Sequence, residues 1–204
     1  MLYQRIFRLP LLLAALLSLS LAAPARAAGE VQAIENLNQA LMETMQEGAD
    51  LGFDGRAAKL DPVLTELFDF RSMVQIGLQR YWKDMPETDR EAVTEAFRRM
   101  SIATFASRFD SFGGENFAID GTRPGPRSLT LVTTRITRPG KDDVSLTYVL
   151  KPAGESAQVI DVLAQGRYSE LARQRAEMSS VYSRSGASGL VESLTQKAAE
   201  LAAE

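Results

Sequence analysis

The sequence predicts a single α+β domain in which helices cover one face of an antiparallel four-stranded sheet. Three observations lead there. Apolar residues recur at three-four spacing from Val31 to about Asp110, the pattern changes to alternation after Gly113-Gly114, and helical spacing returns from Arg167. The links between the alternating runs are short, which argues for a meander, and none is long enough to divide the chain into separate domains.

The first helix is read from Val31, Ile34, Leu37, Leu41 and Met45, and Gly48 with the Gly52–Gly55 stretch ends it. A second covers Arg56 to Leu67, where Pro62 is tolerable only close to the helix start. The third, Phe70 to Trp82, lies in the segment FDFRSMVQIGLQRYW. At helical spacing Phe70, Met73, Val74, Gly77 and Tyr81 form one stripe, notched by a glycine that marks a close approach by a neighbouring helix or an apolar ligand. Pro86 then opens a long helix to about Asp110, with Glu87, Asp89 and Glu91 suiting its positive N-terminal end. Val93, Phe97, Met100 and Thr104 lie on one face of it, and Ile102, Phe105 and Phe109 nearly opposite. A helix apolar on two sides is enclosed between layers.

Phe117 and Ile119 alternate as a first strand. In the second, the parity slips from Leu129 and Leu131 to Val132 and Ile136, which predicts either a bulge or burial on both faces. Arg138-Pro139-Gly140-Lys141 is a turn signature, and Asp142-Asp143 beyond it reads as a polar hairpin tip. Val144, Leu146, Tyr148 and Leu150 share one face of the third strand. Pro152 to Glu155 turn the chain into a fourth, Val159 to Leu163. A helix with Leu171, Met178 and Val181 inward follows, Gly186 breaks it, and a last helix carries Leu190, Leu194 and Leu201.

The N-terminus predicts export. Arg5 and Arg8 precede an apolar run from Leu9 to Ala23, and Ala25-Arg26-Ala27 offers a small-x-small cleavage site. The run, roughly 15 residues, falls short of the ~20 a spanning helix needs, which disfavours the alternative of an uncleaved anchor. Residues 1–27 are therefore expected to be a cleaved signal peptide and residues 28–204 the mature domain, soluble in the periplasm.

Composition narrows the chemistry. Three of the 23 basic residues (Arg5, Arg8 and Arg26) leave with the signal, so 20 face 26 acidic ones, a net charge of −6. An acidic chain without a basic run is a poor partner for nucleic acid. There is no His and no Cys, which removes the commonest general base, thiol nucleophiles, disulfides and thiolate metal sites. No Asp/Asn-rich loop has calcium-binding spacing. Neither catalysis, a metal nor a cofactor is expected.

The order FDF…M…YW, PETDR…F, a two-strand hairpin, VIDV…G…S and SxxGxxGLxxxLxxK resembles the MlaC and toluene-tolerance family of periplasmic lipid-shuttle proteins, over roughly Val31 to Lys197. Within it, Gly166-Arg-Tyr-Ser169-Glu-Leu-Ala-Arg-Gln-Arg-Ala-Glu177 is similar to the hopanoid-associated HpnM branch. The chain departs from the family at Gln79, where glycine is frequent, at Ala157, where tryptophan is common, and at Val149, where arginine often stands. The resemblance implies a sheet curved around a deep apolar cavity, roofed by about six or seven helices, that takes in acyl chains or a polycyclic lipid. It also implies a phospholipid or hopanoid-type cargo and partners in a membrane transporter of the inner membrane, with the outer membrane as a further docking site.

On that reading Phe70, Met73, Val74, Gly77, Tyr81, Phe97, Met100, Phe105, Leu146 and Tyr148 line the lipid cavity, with Met73, Met85 and Met100 as adaptable walls. The plain alternative makes the methionines, Tyr148 and Trp82 ordinary core. Asp161, on the parity of Val159 and Leu163, is expected to pair with Arg173 or Arg175. Two rival functions follow. In an enzyme, Tyr148 would donate to an oxyanion and Asp161 act as base within one cavity. An envelope adaptor or chaperone-like module would show an exposed apolar groove.

Overall fold

The computed structural model describes residues 22–154 and 156–203. The expected signal peptide lies outside the described residues up to position 21. The first helix, α1 (Ala22–Gln46), puts Ile34, Leu37 and Leu41 into the core with no exposure, as their spacing requires. Next comes α2 (Gly48–Leu67), broken near its start at Gly52 (φ 60°, ψ −177°). Pro62 sits well inside α2 and not at its start. Its missing N–H leaves the Ala58 carbonyl without a helical bond, and Ala58 is exposed, so water is at hand.

The short α3 (Phe70–Leu78) is capped by Asp69, whose carboxylate accepts from the Ser72 N–H at 2.8 Å and the Ser72 hydroxyl at 2.7 Å. Lys151 donates to the Ser72 hydroxyl at 3.0 Å and ion-pairs Asp69, fastening α3 to the sheet. The helix stops three residues short of Tyr81 because Gln79 takes φ 36°, ψ −96°. That conformation favours glycine, the residue that the resemblance leads one to expect here. Trp82 follows in a turn, buried between the guanidinium groups of Arg71 and Arg90, each 5.2 Å from its ring. Pro86 then stands as the N-cap of α4 (Glu87–Arg108).

The sheet runs in the order β1 (Asn116–Pro124), β2 (Thr130–Arg138), β3 (Lys141–Ala153), β4 (Ser156–Ala164), β5 (Tyr168–Ser169), antiparallel throughout. The expected α+β class holds, with a two-residue fifth strand that its length hides from periodicity. The parity slip in β2 is burial on both faces: its register with β3 is unbroken from Thr130 to Ile136, and both Leu131 and Val132 are buried. Register shifts occur elsewhere, at Asp120 in β1, at the β2–β3 turn, and at Ile160 in β4. They add twist and curvature.

The last element, α5 (Glu170–Ala202), reverses at Gly186 (φ 64°, ψ −162°). Lys197 reaches Glu177 at 3.0 Å, although twenty residues of straight helix would span ~30 Å, so the two halves lie side by side. Among the described residues, counting across the breaks in α2 and α5 turns five α-helices into seven helical segments, close to the number the sequence led to. The α5 hairpin packs on α4, with Met178, Leu190 and Leu194 against Phe97 and Met100.

The backbone region occupied by Gly186 is almost closed to residues with a Cβ. Gly186→Ala should lower stability by about 1–3 kcal/mol in urea unfolding. The same loss at Gly189→Ala only would place the strain elsewhere. Acid should also destabilise the fold. The Arg98 hydrogen bond pulls the Glu95 carboxyl from 4.5 to about 2 against partial burial, with Arg99 adding to it. A depressed folded-state value contributes stability above about 4.5 that is lost as pH falls toward 2. Glu95→Gln should flatten the pH dependence of the melting temperature in that window, and an unchanged slope would count against the assignment.

Candidate lipid-binding cavity

The sheet places Ile136, Val144, Leu146, Tyr148, Val162 and Ala164 along one face, each cross-strand neighbour in register with the next. The α4 helix crosses above them and turns Ser101, Thr104, Phe105, Arg108 and Phe109 toward that face. Between the two layers lies a cavity of about 530 Å³. Met45, Phe68, Met73 and Leu171 complete its walls. This volume falls within the range of ligand pockets, and its lining is apolar apart from Ser101 and Thr104 on the α4 wall and a charged end. There Arg108, Asp110, Ser111, Glu115, Arg138, Lys141, Glu170 and Gln174 form a charged mouth.

The two hydroxyls on the α4 wall make no demand on a ligand. Ser101 donates to the Phe97 carbonyl and Thr104 to the Met100 carbonyl, both at 2.8 Å. The wall is therefore polar in composition but offers no spare hydroxyl proton. Aromatic rings extend this lining: Phe68 stacks on Phe70 at 5.7 Å and meets Phe105 edge-on at 5.6 Å, and Phe105 stacks on Phe109 at 5.9 Å. Phe68 and Phe109 were legible as apolar positions, and Val144 as a member of the strand face. Only their convergence was hidden.

Of the ten residues expected at the cavity, Met73, Phe105, Leu146 and Tyr148 meet there. The other six do not line it. Phe70 and Val74 are buried in the core, with Phe70 against Phe97 at 6.3 Å. Phe97 and Met100 face the α5 hairpin on the opposite side of α4, and Met85 is buried in the core away from the cavity lining. Tyr81 packs on Tyr182 at 4.8 Å. The close approach at Gly77 is made by α5: a Cβ there would lie 3.2 Å from the Met178 sulfur, and Ser179 donates to the Gly77 carbonyl at 3.2 Å. The notch admits a helix.

The extra residue Ile160 reverses the parity of β4. Val159 pairs with Leu150, Asp161 with Val149, and Val162 with Tyr148. Tyr148 and Asp161 consequently leave opposite faces of the sheet, and no common point lies between them. Asp161 pairs with neither Arg173, which bonds Glu170, nor Arg175, which donates to Gln79 at 2.6 Å. Its carboxylate accepts from the Val162 N–H at 2.8 Å, the Ser169 hydroxyl at 2.6 Å and the Leu171 N–H at 3.1 Å, pinning the start of α5 to β4. Tyr148 is fully buried with no partner for its hydroxyl, and burial pushes its phenol well above the ordinary range. Neither side chain is placed for acid–base work. Among the described residues no group of carboxylates could hold a metal ion, and no helix is long and apolar enough to cross a membrane.

Residues 35–196 match the model of the MlaC protein family. The chain belongs to the MlaC family. Membership points to a non-enzymatic, lipid-binding protein, in keeping with the separation of Tyr148 from Asp161. Among solved structures, a phospholipid-binding protein from Ralstonia solanacearum, determined in complex with a phospholipid, is similar in fold. It has a TM-score of 0.72 at 20% identity, over 84% of this chain and 97% of that one. No curated protein matches by sequence. Gln79, Ala157 and Val149, where the resemblance led to an expectation of glycine, tryptophan and arginine, all lie away from the cavity lining.

A buried hydroxyl without a partner costs about 1–3 kcal/mol. Tyr148→Phe should therefore leave thermal stability unchanged or raise it. A clear loss would reveal a bond to the hydroxyl.

Proposed function

We propose that this protein is a periplasmic phospholipid-binding carrier that moves a lipid between membrane-associated partners. On this reading residues 1–27 are removed on export and residues 28–204 form the carrier. The observation that carries the proposal is the cavity between α4 and the sheet, lined by Phe68, Phe105, Phe109, Leu146 and Val162. The phospholipid bound by the Ralstonia protein of the same fold supports the choice of cargo.

The physical need for such a carrier is simple. Each methylene taken out of water is worth about 0.8 kcal/mol, so a free acyl lipid crosses an aqueous gap slowly. A cavity that shields the tails and leaves a charged mouth to the headgroup removes that barrier without a covalent step. The energy for directed movement would come from a transporter in the membrane, and the carrier's partners would be components of the inner and outer membranes. The depth of the cavity, set between α4 and the sheet, favours this reading over an adaptor with an exposed groove.

Lipid extracted from the purified protein and analysed by mass spectrometry should contain a phospholipid in near-stoichiometric amount. A hopanoid in its place would assign the chain to that branch, and a lipid-free protein that takes up no lipid would sink the proposal. Leu146→Arg, which places a charge on the cavity wall, should abolish occupancy while the circular dichroism spectrum stays native. Met100, facing the α5 hairpin, is not a suitable site for that test.

A further inference from the structure

Arg138 and Lys141 face one another across the β2–β3 turn as a cross-strand pair, and both line the mouth of the cavity. Like charges directly opposite in an antiparallel pair are destabilising. Arg138 donates Nε and Nη2 to the Asp142 backbone carbonyl at 3.0 and 2.5 Å, which satisfies donors but not the charge. Among the described residues neither cation forms an ion pair.

The carboxylates of the mouth bond other groups, and only Glu170 is held by other cations. Glu170 accepts from Arg173 at 2.9 Å and lies 3.7 Å from Arg108, Glu115 accepts from the Gly113 N–H at 2.5 Å, and Asp110 from the Ser111 hydroxyl at 3.0 Å. Asp142 and Asp143 follow Lys141 in sequence, and among the described residues neither forms an ion pair with Arg138 or Lys141. The register shift at the turn sets Lys141 on the same side as Arg138, which shares strand parity with Ile136 and Thr134. Same-face neighbours along a strand lie about 7 Å apart. One step inward from the cations is therefore the apolar pair Ile136 and Val144, and the next reaches Leu146.

We infer that Arg138 and Lys141 form a phosphodiester subsite, which holds the headgroup of a glycerophospholipid at the mouth while its tails enter over Ile136, Val144 and Leu146. The inference rests on the phospholipid reading above. A phosphodiester offers a delocalised anion to a planar guanidinium and a compact ammonium at once, and bound there it relieves the repulsion between them.

The test compares delipidated wild type, Arg138→Gln/Lys141→Gln and Lys141→Gln alone. Each is incubated with phosphatidylcholine vesicles that carry either phosphatidylglycerol or an equal fraction of diacylglycerol, re-isolated, and assayed for bound lipid by mass spectrometry. Wild type should prefer phosphatidylglycerol to diacylglycerol by about tenfold, as befits charge-assisted contacts partly screened by solvent. The double variant should lose that preference while still taking up diacylglycerol. Lys141 is exposed at the turn, so its single variant stays folded and should lose part of the preference.

A double or single variant with the full wild-type preference overturns the subsite. Wild type that takes up both lipids equally overturns it while leaving the carrier reading intact, and wild type that takes up neither removes both. Titration with inorganic phosphate distinguishes the source of the anion. Saturable phosphate binding that depends on Arg138 and Lys141, with lipid preference unchanged in the variants, would reassign the pair to a free anion and overturn the headgroup role.

Discussion

Ile160 is an extra residue in β4, and the geometry of the cavity follows from the shift it introduces. Before it, Val159 points into the core beside Leu150. After it, Val162 and Ala164 fall on the cavity face beside Tyr148 and Leu146, while Asp161 turns away. Without the shift the carboxylate of Asp161 would point among apolar side chains at a cost of several kcal/mol, and the valine would face outward. With it, the same carboxylate receives two N–H groups and the Ser169 hydroxyl, and α5 begins where it can supply Leu171 to the cavity wall.

α4 is the second fixed part. One side of it carries Phe97 and Met100 into the α5 hairpin, and another carries Phe105 and Phe109 into the cavity. Burial of large apolar side chains, worth about 1.5–3 kcal/mol each, holds the first side whether or not a ligand is present. The second side is held partly by rings, Phe105 by Phe68 and Phe109 by Phe117, and borders the cavity with the rest of its surface. A wall anchored from behind can border an open space without collapsing into it.

The helical periods and the alternating runs were legible from residue spacing, because each reports which face of one element is apolar. Spacing does not report what covers that face. The stripe of Phe70, Val74 and Gly77 was correctly an enclosed one, yet Gly77 is covered by Met178 from a helix a hundred residues later and Phe70 by Phe68 and Phe97. The two apolar sides of α4 were likewise evident, but not which of them meets the sheet. Asp161 was read with the wrong parity because one inserted residue exchanges the faces of every position after it, and hydropathy alone does not reveal such an insertion in a short strand. At Gln79, where the resemblance led to an expectation of glycine, the backbone has φ 36°, a conformation that favours glycine.

Ser101 and Thr104 spend their hydroxyl protons on their own helix. What they present to the cavity is a surface without directional preference. Acyl chains of different length or unsaturation would meet the same resistance along such a wall, and no step of withdrawal would require several bonds to break together. On the carrier reading, discrimination between lipids would fall to the mouth, while the interior would hold chains by buried area and not by directed bonds.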